Sequence, residues 1–421
     1  MHALTSSLLL VTHVPIRKGP AGPQIDDQTA AGIVQWCKAF ERVTYIGMEE
    51  EAGSAKASSS QWVDLSTFPG AQNCRVLALP RAYRMQEMAR HRRPVMDLIR
   101  REIAAHSHLC FTLGGLNGDW PALAAKEAIR QDRPYSAWLD RVEPLIVARE
   151  MKEASFKSRL FWRVALPLFD RRIRSLLSRS TVALLQGRDT YDYYARFAPS
   201  PHCTYDTHTS VADEIDDAAL AAKRARILEK SPLTILYVGR AAPMKGPGDW
   251  LSVLEALDLQ SIPFRATWIG DGPDLARMQE RVARSGLTDQ VVLHGFEGNR
   301  AVLLRAMRES DLLLFCHKTP ESPRCLIEAL VSGCPLVGYE TAYPKGLVEA
   351  RGGGLFVPQD DVAALTACVR DLHADRQALA RLVDEAAASG RLYNEDDVYA
   401  HRAGLMKQAG ATARDHAALA T

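Results

Sequence analysis

The sequence predicts an α/β protein built from two doubly wound, Rossmann-like domains facing each other across a cleft. Three observations carry that expectation. Apolar strand-like runs alternate with helical patterns along the chain, the mark of parallel sheets flanked by helices. Those runs are continuously apolar rather than alternating, as suits strands buried on both faces. At 421 residues the chain exceeds one comfortable core, so two domains are expected.

In order, the first half supplies "LLLVTH" (8–13), "RVTYIG" (42–47), "CRVLALP" (74–80), "LCFTLGG" (109–115), "YSAWL" (135–139) and "VALLQ" (182–186). Between the first two lies "THVPIRKGPAGPQIDD" (12–27), read as a Gly/Pro-rich loop after the first strand, and "EEEAGSAKASSSQ" (49–61) reads as a mobile surface loop. The stretch "FAPSPHCTYDTHTS" (197–210) is rich in turn formers and is the expected linker. It would join a domain of residues 1–205 to one of 206–385, with helices from 386–421 packing back toward the first. The second half supplies strands at "TILYVG" (234–239), "FRATWIG" (264–270), "QVVLH" (290–294), "DLLLFC" (311–316) and "PLVG" (335–338). Ligands of such sheets bind outside the carboxyl ends of the strands.

Composition narrows the class. Hydrophobic content of 47% and charged content of 24% fit an ordinary globular protein. No run of eighteen apolar residues occurs, and "SLLLVTHVP" lacks the basic start and cleavage site of a signal peptide. Eight scattered cysteines without a C-x-x-C pair argue for a reducing, cytoplasmic setting rather than a disulfide framework or zinc site. Net charge is +2, but residues 1–205 hold 28 Lys and Arg against 20 Asp and Glu, a balance of +8. The remaining 24 against 30 leaves −6 in residues 206–421, so the halves should meet different partners. Residues 81–102 carry seven arginines, and residues 151–180 carry eight cations with Phe156, Phe161, Trp162 and Phe169. A basic aromatic helix can lie on an anionic membrane surface, although Pro167 interrupts the stripe and a solvated surface helix remains the alternative. No nucleic-acid motif accompanies the charge, and no nucleic-acid partner is expected.

Two stretches of the second half carry candidate chemistry. In "YVGRAAPMKGPGDW" a strand ends at Gly239, Arg240 follows, and Lys245 stands five positions on before Gly246. Two cations at a strand's carboxyl end suit an anionic ligand, Arg as a fork and Lys as a mobile point charge; exposed surface charges are the plain alternative. The spacing is not that of a P-loop. In "TPESPRCLIEAL" Ser322 and Pro323 read as N-cap and first position of a helix from about Arg324 to Val331. Its amino end, with Ser322, Arg324 and Cys325, would favour an anion. Glu321 lies just before that end and Glu328 one to two turns inside, where a carboxylate can accept bonds from vicinal hydroxyls. A dipole-offsetting charge and a solvated face are the corresponding plain readings.

Together "GRAAPMKG" and "ESPRCLIEALVSGCPLV" resemble the donor-binding domain of family-4 retaining glycosyltransferases of the GT-B fold. "IGDGPD" (269–274), "VVLHGF" (291–296, with His294) and "GGGLFVP" (352–358) fall in that family's order, over about residues 230–375. The resemblance implies a nucleotide-diphosphate sugar as donor, a carbohydrate or lipid-linked hydroxyl acceptor, retention of configuration, and neither metal nor other cofactor. It places Arg240 and Lys245 on the diphosphate, Glu328 on the ribose, Glu321 against the sugar, and Gly239 and His294 in the donor site. Gly19 and Gly22 would approach the donor phosphates from the first domain. His13 reads as structural, and Asp140 falls near a position where the family often has a histidine. The family sets its two glutamates eight apart; Pro320 holds that place here and Glu321 is displaced by one. The form "HKTPESPR" is similar to that of bacterial exopolysaccharide enzymes. A GT-B nucleotide-sugar epimerase and a catalytically silent nucleotide-sugar-binding partner protein remain the alternatives.

Overall fold

A computed structural model describes residues 6–419 apart from 20–21, 51–60, 83–84, 116–118, 152–154, 230–231 and 320. The loop expected over 49–61 therefore lies almost wholly outside the described residues, as does Pro320. The chain divides into two compact units. Unit 1 comprises residues 1–208 with 395–421, and unit 2 comprises residues 209–394. Against the expected 205/206 and 385/386, the crossings fall at 208/209 and 394/395, so residues 386–394 stay with unit 2.

Unit 1 is built on β1 (Ser7–Lys18), β2 (Pro23–Asp26), β3 (Arg42–Glu49), β4 (Trp62–Asp64), β5 (Cys74–Leu79), β6 (His108–Thr112), β7 (Ser136–Leu139), β8 (Val182–Gln186) and β9 (Pro201–Thr204). Seven of these run parallel in the order β5-β3-β1-β6-β7-β8-β9. Side chains of β1 alternate between two cores: Leu9 and Val11 face one, Leu8 and Leu10 the other. The first core is closed by helices Met85–Ala105, Trp120–Arg130 and Phe156–Leu177. The second is closed by helix Asp27–Ala39 and by the returning helix Glu395–Leu419. There Tyr399 meets Trp36 edge-on at 5.1 Å, and the fully buried Arg402 lies over Trp138 while donating to Gln186 Oε1 at 3.2 Å.

Three features depart from the sequence reading. The segment 12–27 is not one loop: β1 continues to Lys18 and pairs antiparallel with β2, which in turn pairs with β4. Pro15 is accommodated because β1 slips register against β3 between Val11 and Pro15, so its missing N–H leaves no gap in a regular ladder. The expected linker contains β9, an edge strand that starts at Pro201, where a proline is tolerated. Helix Phe156–Leu177 runs through Pro167, held by buried Phe169, Ile173, Leu176 and Leu177 in its last turns.

Unit 2 holds β10 (Leu233–Val238), β11 (Phe264–Ile269), β12 (Val291–Gly295), β13 (Leu312–Phe315), β14 (Leu336–Tyr339) and β15 (Gly354–Val357). All are parallel, in the order β12-β11-β10-β13-β14-β15. Counted within the unit this is 3-2-1-4-5-6, and the winding direction reverses between β10 and β13. Chains leaving the carboxyl ends of these two neighbours diverge to opposite faces and open a crevice between them. The "GRAAPMKG" loop follows β10 and the "HKTPESPR" loop follows β13, so both candidate stretches flank that switch point.

Candidate active site

The loop after β10 is shaped by close backbone packing. Gly239 has φ +155°, and a Cβ there would lie 2.7 Å from the Tyr237 hydroxyl. Arg240 follows, exposed, and a short 3-10 turn, Pro243–Lys245, delivers Lys245. Gly246 then adopts the left-handed conformation (φ 65°, ψ 44°), and a Cβ there would overlap the Cys316 carbonyl oxygen. That packing joins the two loops, and the Lys318 N–H donates to the Met244 carbonyl at 2.8 Å. The Lys318 ammonium pairs with Asp249 and Asp360, and the Tyr339 hydroxyl donates to Asp249 at 2.6 Å.

This brace brings Lys245 and Glu321 together. Lys245 Nζ lies 2.9 Å from Glu321 Oε2, and the Thr319 hydroxyl donates to Glu321 Oε1 at 3.0 Å. Both side chains are largely sheltered, 13% and 24% exposed, so the pair is held rather than freely solvated. Beneath it the Tyr237 hydroxyl and His317 Nε2 are 2.8 Å apart. Burial, and then the Lys245 charge, hold His317 well below the ordinary histidine range, so the ring is neutral.

Helix Arg324–Val331 starts where the sequence places it, but its cap differs. Pro323, not Ser322, is the N-cap residue, and no side chain caps the helix. Ser322 therefore lies one residue outside, because Pro323 takes extended dihedrals (φ −73°, ψ 121°) instead of the first helical ones. Cys325 in the first turn is a thiol, pushed up to about 12 by burial. Glu328 is 21% exposed and stands 3.6 Å from Arg300 Nε, beyond hydrogen-bond length. Burial raises its carboxyl above the ordinary value, more than Arg300 and Arg324 lower it. Arg300 is itself held by Asp213 at 2.9 Å.

The remaining expected residues are placed as follows. His294 is exposed near the end of β12, the edge strand two places from β10. Gly19 and Gly22 belong to unit 1, where the Gly19 N–H donates to the Gly22 carbonyl at 2.8 Å in the β1–β2 turn. Also in unit 1, His13 Nε2 lies 3.4 Å from the buried Asp119, and Arg172 meets the other Asp119 oxygen at 3.4 Å. Asp140 is exposed just after β7. Sequence reasoning did not single out Arg300, Lys318 or His317. Lys318 and His317 stand inside the quoted "HKTPESPR"; Arg300 carried no local signal, since its partners come from distant segments.

Residues 221–389, a stretch that falls within unit 2, match the family described as Glycosyl transferases group 1. Two relatives each match part of the chain. A 2-deoxystreptamine N-acetyl-D-glucosaminyltransferase of Streptomyces fradiae is 35% identical over 143 residues, 34% of each chain. The amylovoran biosynthesis glycosyltransferase AmsK of Erwinia amylovora is 32% identical over 142 residues, 32% of this chain and 35% of its own. The chain thus spans about a third of the length of each of these relatives. Among solved structures, HepE of Anabaena in complex with UDP superposes with a TM-score of 0.66 at 14% identity, covering 94% of this chain and 98% of that one. The likeness shows the fold: the chain is a GT-B protein with two Rossmann-like α/β units.

Proposed function

We propose that the chain is a retaining, metal-independent glycosyltransferase. It transfers a sugar, a hexose by preference, from a nucleotide-diphosphate donor to a hydroxyl of a carbohydrate or lipid-linked acceptor in bacterial polysaccharide or glycoconjugate synthesis. The Lys245–Glu321 pair at the switch point carries this reading: it sets a cation and a carboxylate side by side where a sugar diphosphate would bridge them. Arg240, Lys245 and the uncapped amino end of helix Arg324–Val331 would neutralise the leaving diphosphate in place of a divalent cation. The departing phosphate takes the acceptor hydroxyl's proton on the same face of the sugar. Glu321, oriented by Thr319, faces the positive charge that builds at the anomeric carbon. Glu328 accepts the ribose hydroxyls; Gly239, His294, Ser322 and Cys325 line the donor site, and Gly19 and Gly22 approach it from unit 1. The group 1 domain and the UDP held by HepE support the donor class.

Incubation with nucleotide sugars, scoring free nucleotide, epimer and transfer product separately, tests the reaction. Transfer that persists in excess chelator is expected. Activity abolished by EDTA and restored by manganese or magnesium would overturn the metal-independent site, and epimer without transfer would overturn the transferase.

The proposed setting is the cytoplasmic face of a membrane. Among the described residues no helix is long and apolar enough to cross one. Helix Phe156–Leu177 instead leaves Phe156, Leu160, Val164 and Leu168, at four-residue spacing, between 56% and 74% exposed, with Phe161 beside them at 63%. Lys157, Arg159 and Arg163 share this stretch, and such a face is complementary to an anionic lipid surface. Phe161→Ser with Leu160→Ser is expected to lower the partition onto anionic vesicles, read by co-sedimentation, by at least about a hundredfold, since each buried apolar side chain contributes on the order of 1.5–3 kcal/mol. Unchanged co-sedimentation would remove the helix from any membrane role.

A further inference from the structure

Unit 1 contains a second concave site, distant in sequence from every residue assigned above to the donor. It is a cavity of about 420 Å³ between helices Met85–Ala105 and Trp120–Arg130, lined by Arg92, Arg93, Asp97, Arg100, Lys126 and Arg130. Its floor is apolar, from Met96 and Leu123.

The charge around it does not cancel. Glu127, 5% exposed beneath the rim, receives Arg100 Nε at 3.1 Å and Arg130 Nη1 at 3.4 Å. Asp97 receives Arg100 Nη1 at 2.8 Å. Two carboxylates are thus taken up by two arginines. Arg92, Arg93 and Lys126 have no hydrogen-bond or ion-pair partner among the described residues. The Lys126 ammonium is held below its ordinary value, first by burial and then by Arg172, Arg130 and Arg92, which together outweigh the opposing pull of Asp119. Arginines of one helix and a lysine of the other thus line a single cavity, offering forked and single donors to one occupant. A single carboxylate would leave most of this charge unmatched; a di- or trianion would not.

We propose that this cavity is a binding site for a multiply charged phosphate group, either a free pyrophosphate-type anion or the phosphomonoester head of a lipid. It does not depend on the sugar-transfer reading, because none of its residues belongs to unit 2. The site gives unit 1 a phosphate contact of its own, and the apolar floor leaves room for an attached carbon chain.

The test uses the full chain carrying Arg240→Ala and Lys245→Ala, so that the cation pair of unit 2 does not contribute to binding. In calorimetry, inorganic pyrophosphate is expected to bind once per chain, and Arg93→Glu with Lys126→Glu to weaken it at least about tenfold, the loss of charge-assisted bonds at unchanged melting temperature. The milder Arg93→Gln with Lys126→Gln repeats the measurement should the reversal disturb folding. In parallel, vesicles holding phosphatidic acid are compared with vesicles of equal surface charge holding phosphatidylserine. Absent pyrophosphate binding but a phosphatidic acid preference that the charge reversal removes would assign the site to a lipid head. Pyrophosphate affinity that survives the reversal overturns the proposal, as does the absence of both pyrophosphate binding and lipid preference.

Discussion

Glu321→Gln and Glu321→Ala are expected to lower turnover by on the order of 10²-fold while donor affinity changes by less than about threefold, the pattern of an interaction made chiefly in the transition state. The carboxylate is fixed on both oxygens, by Lys245 at 2.9 Å and Thr319 at 3.0 Å, so it meets developing positive charge without reorganising. Gln keeps the shape and the Thr319 bond but loses the charge, and should therefore resemble Ala. Steady-state kinetics on both variants decide. Wild-type turnover in the two would make Glu321 only the counter-ion of Lys245, and the silent partner protein would become the better description.

Lys245→Ala and Arg240→Ala are each expected to weaken nucleotide-diphosphate binding by roughly ten- to a hundredfold, the 1.5–3 kcal/mol of a hydrogen bond to a charged group. Melting temperature should move by less than about 3 °C, since a partly exposed ion pair contributes at most about 1 kcal/mol to stability. Arg240 is exposed, and Lys245 holds a single ion pair whose carboxylate can rehydrate. Calorimetry beside a thermal melt separates the two effects. Wild-type affinity in both variants would leave the donor site without its anchor.

Much of the fold is legible in the sequence because doubly covered parallel strands must be apolar throughout. "TILYVG" and "DLLLFC" overlap β10 and β13 to within a residue or two at each end. The strands without a sequence signal are those for which that rule fails. β2, β4 and β9 are three or four residues long, and β2 and β9 begin with proline; β15 is half-exposed. The candidate site divides in the same way. Lys245, Glu321 and Glu328 stand in recognisable local order, whereas their supports do not. Asp249 and Asp360 reach Lys318 from two separate segments, Tyr339 reaches Asp249 from a third, and Arg300 reaches Glu328 from another helix. Ser-Pro satisfies the usual helix-start pattern, so the sequence points to Ser322 as the cap, whereas Pro323 takes extended dihedrals and occupies that place itself.

Unit 1 is written in two pieces, with all of unit 2 between them. A ribosome therefore finishes residues 209–394 before it makes the helix that completes the second core of unit 1. Until Glu395–Leu419 emerges, Trp36 lacks the Tyr399 ring and Gln186 lacks the Arg402 guanidinium. The part of helix Asp27–Ala39 that packs on the returning helix stays uncovered for that interval, which is the time needed to synthesise an entire second sheet. Assembly of the nascent chain is thus ordered by its connectivity: the later half can close on itself first, and the earlier half waits.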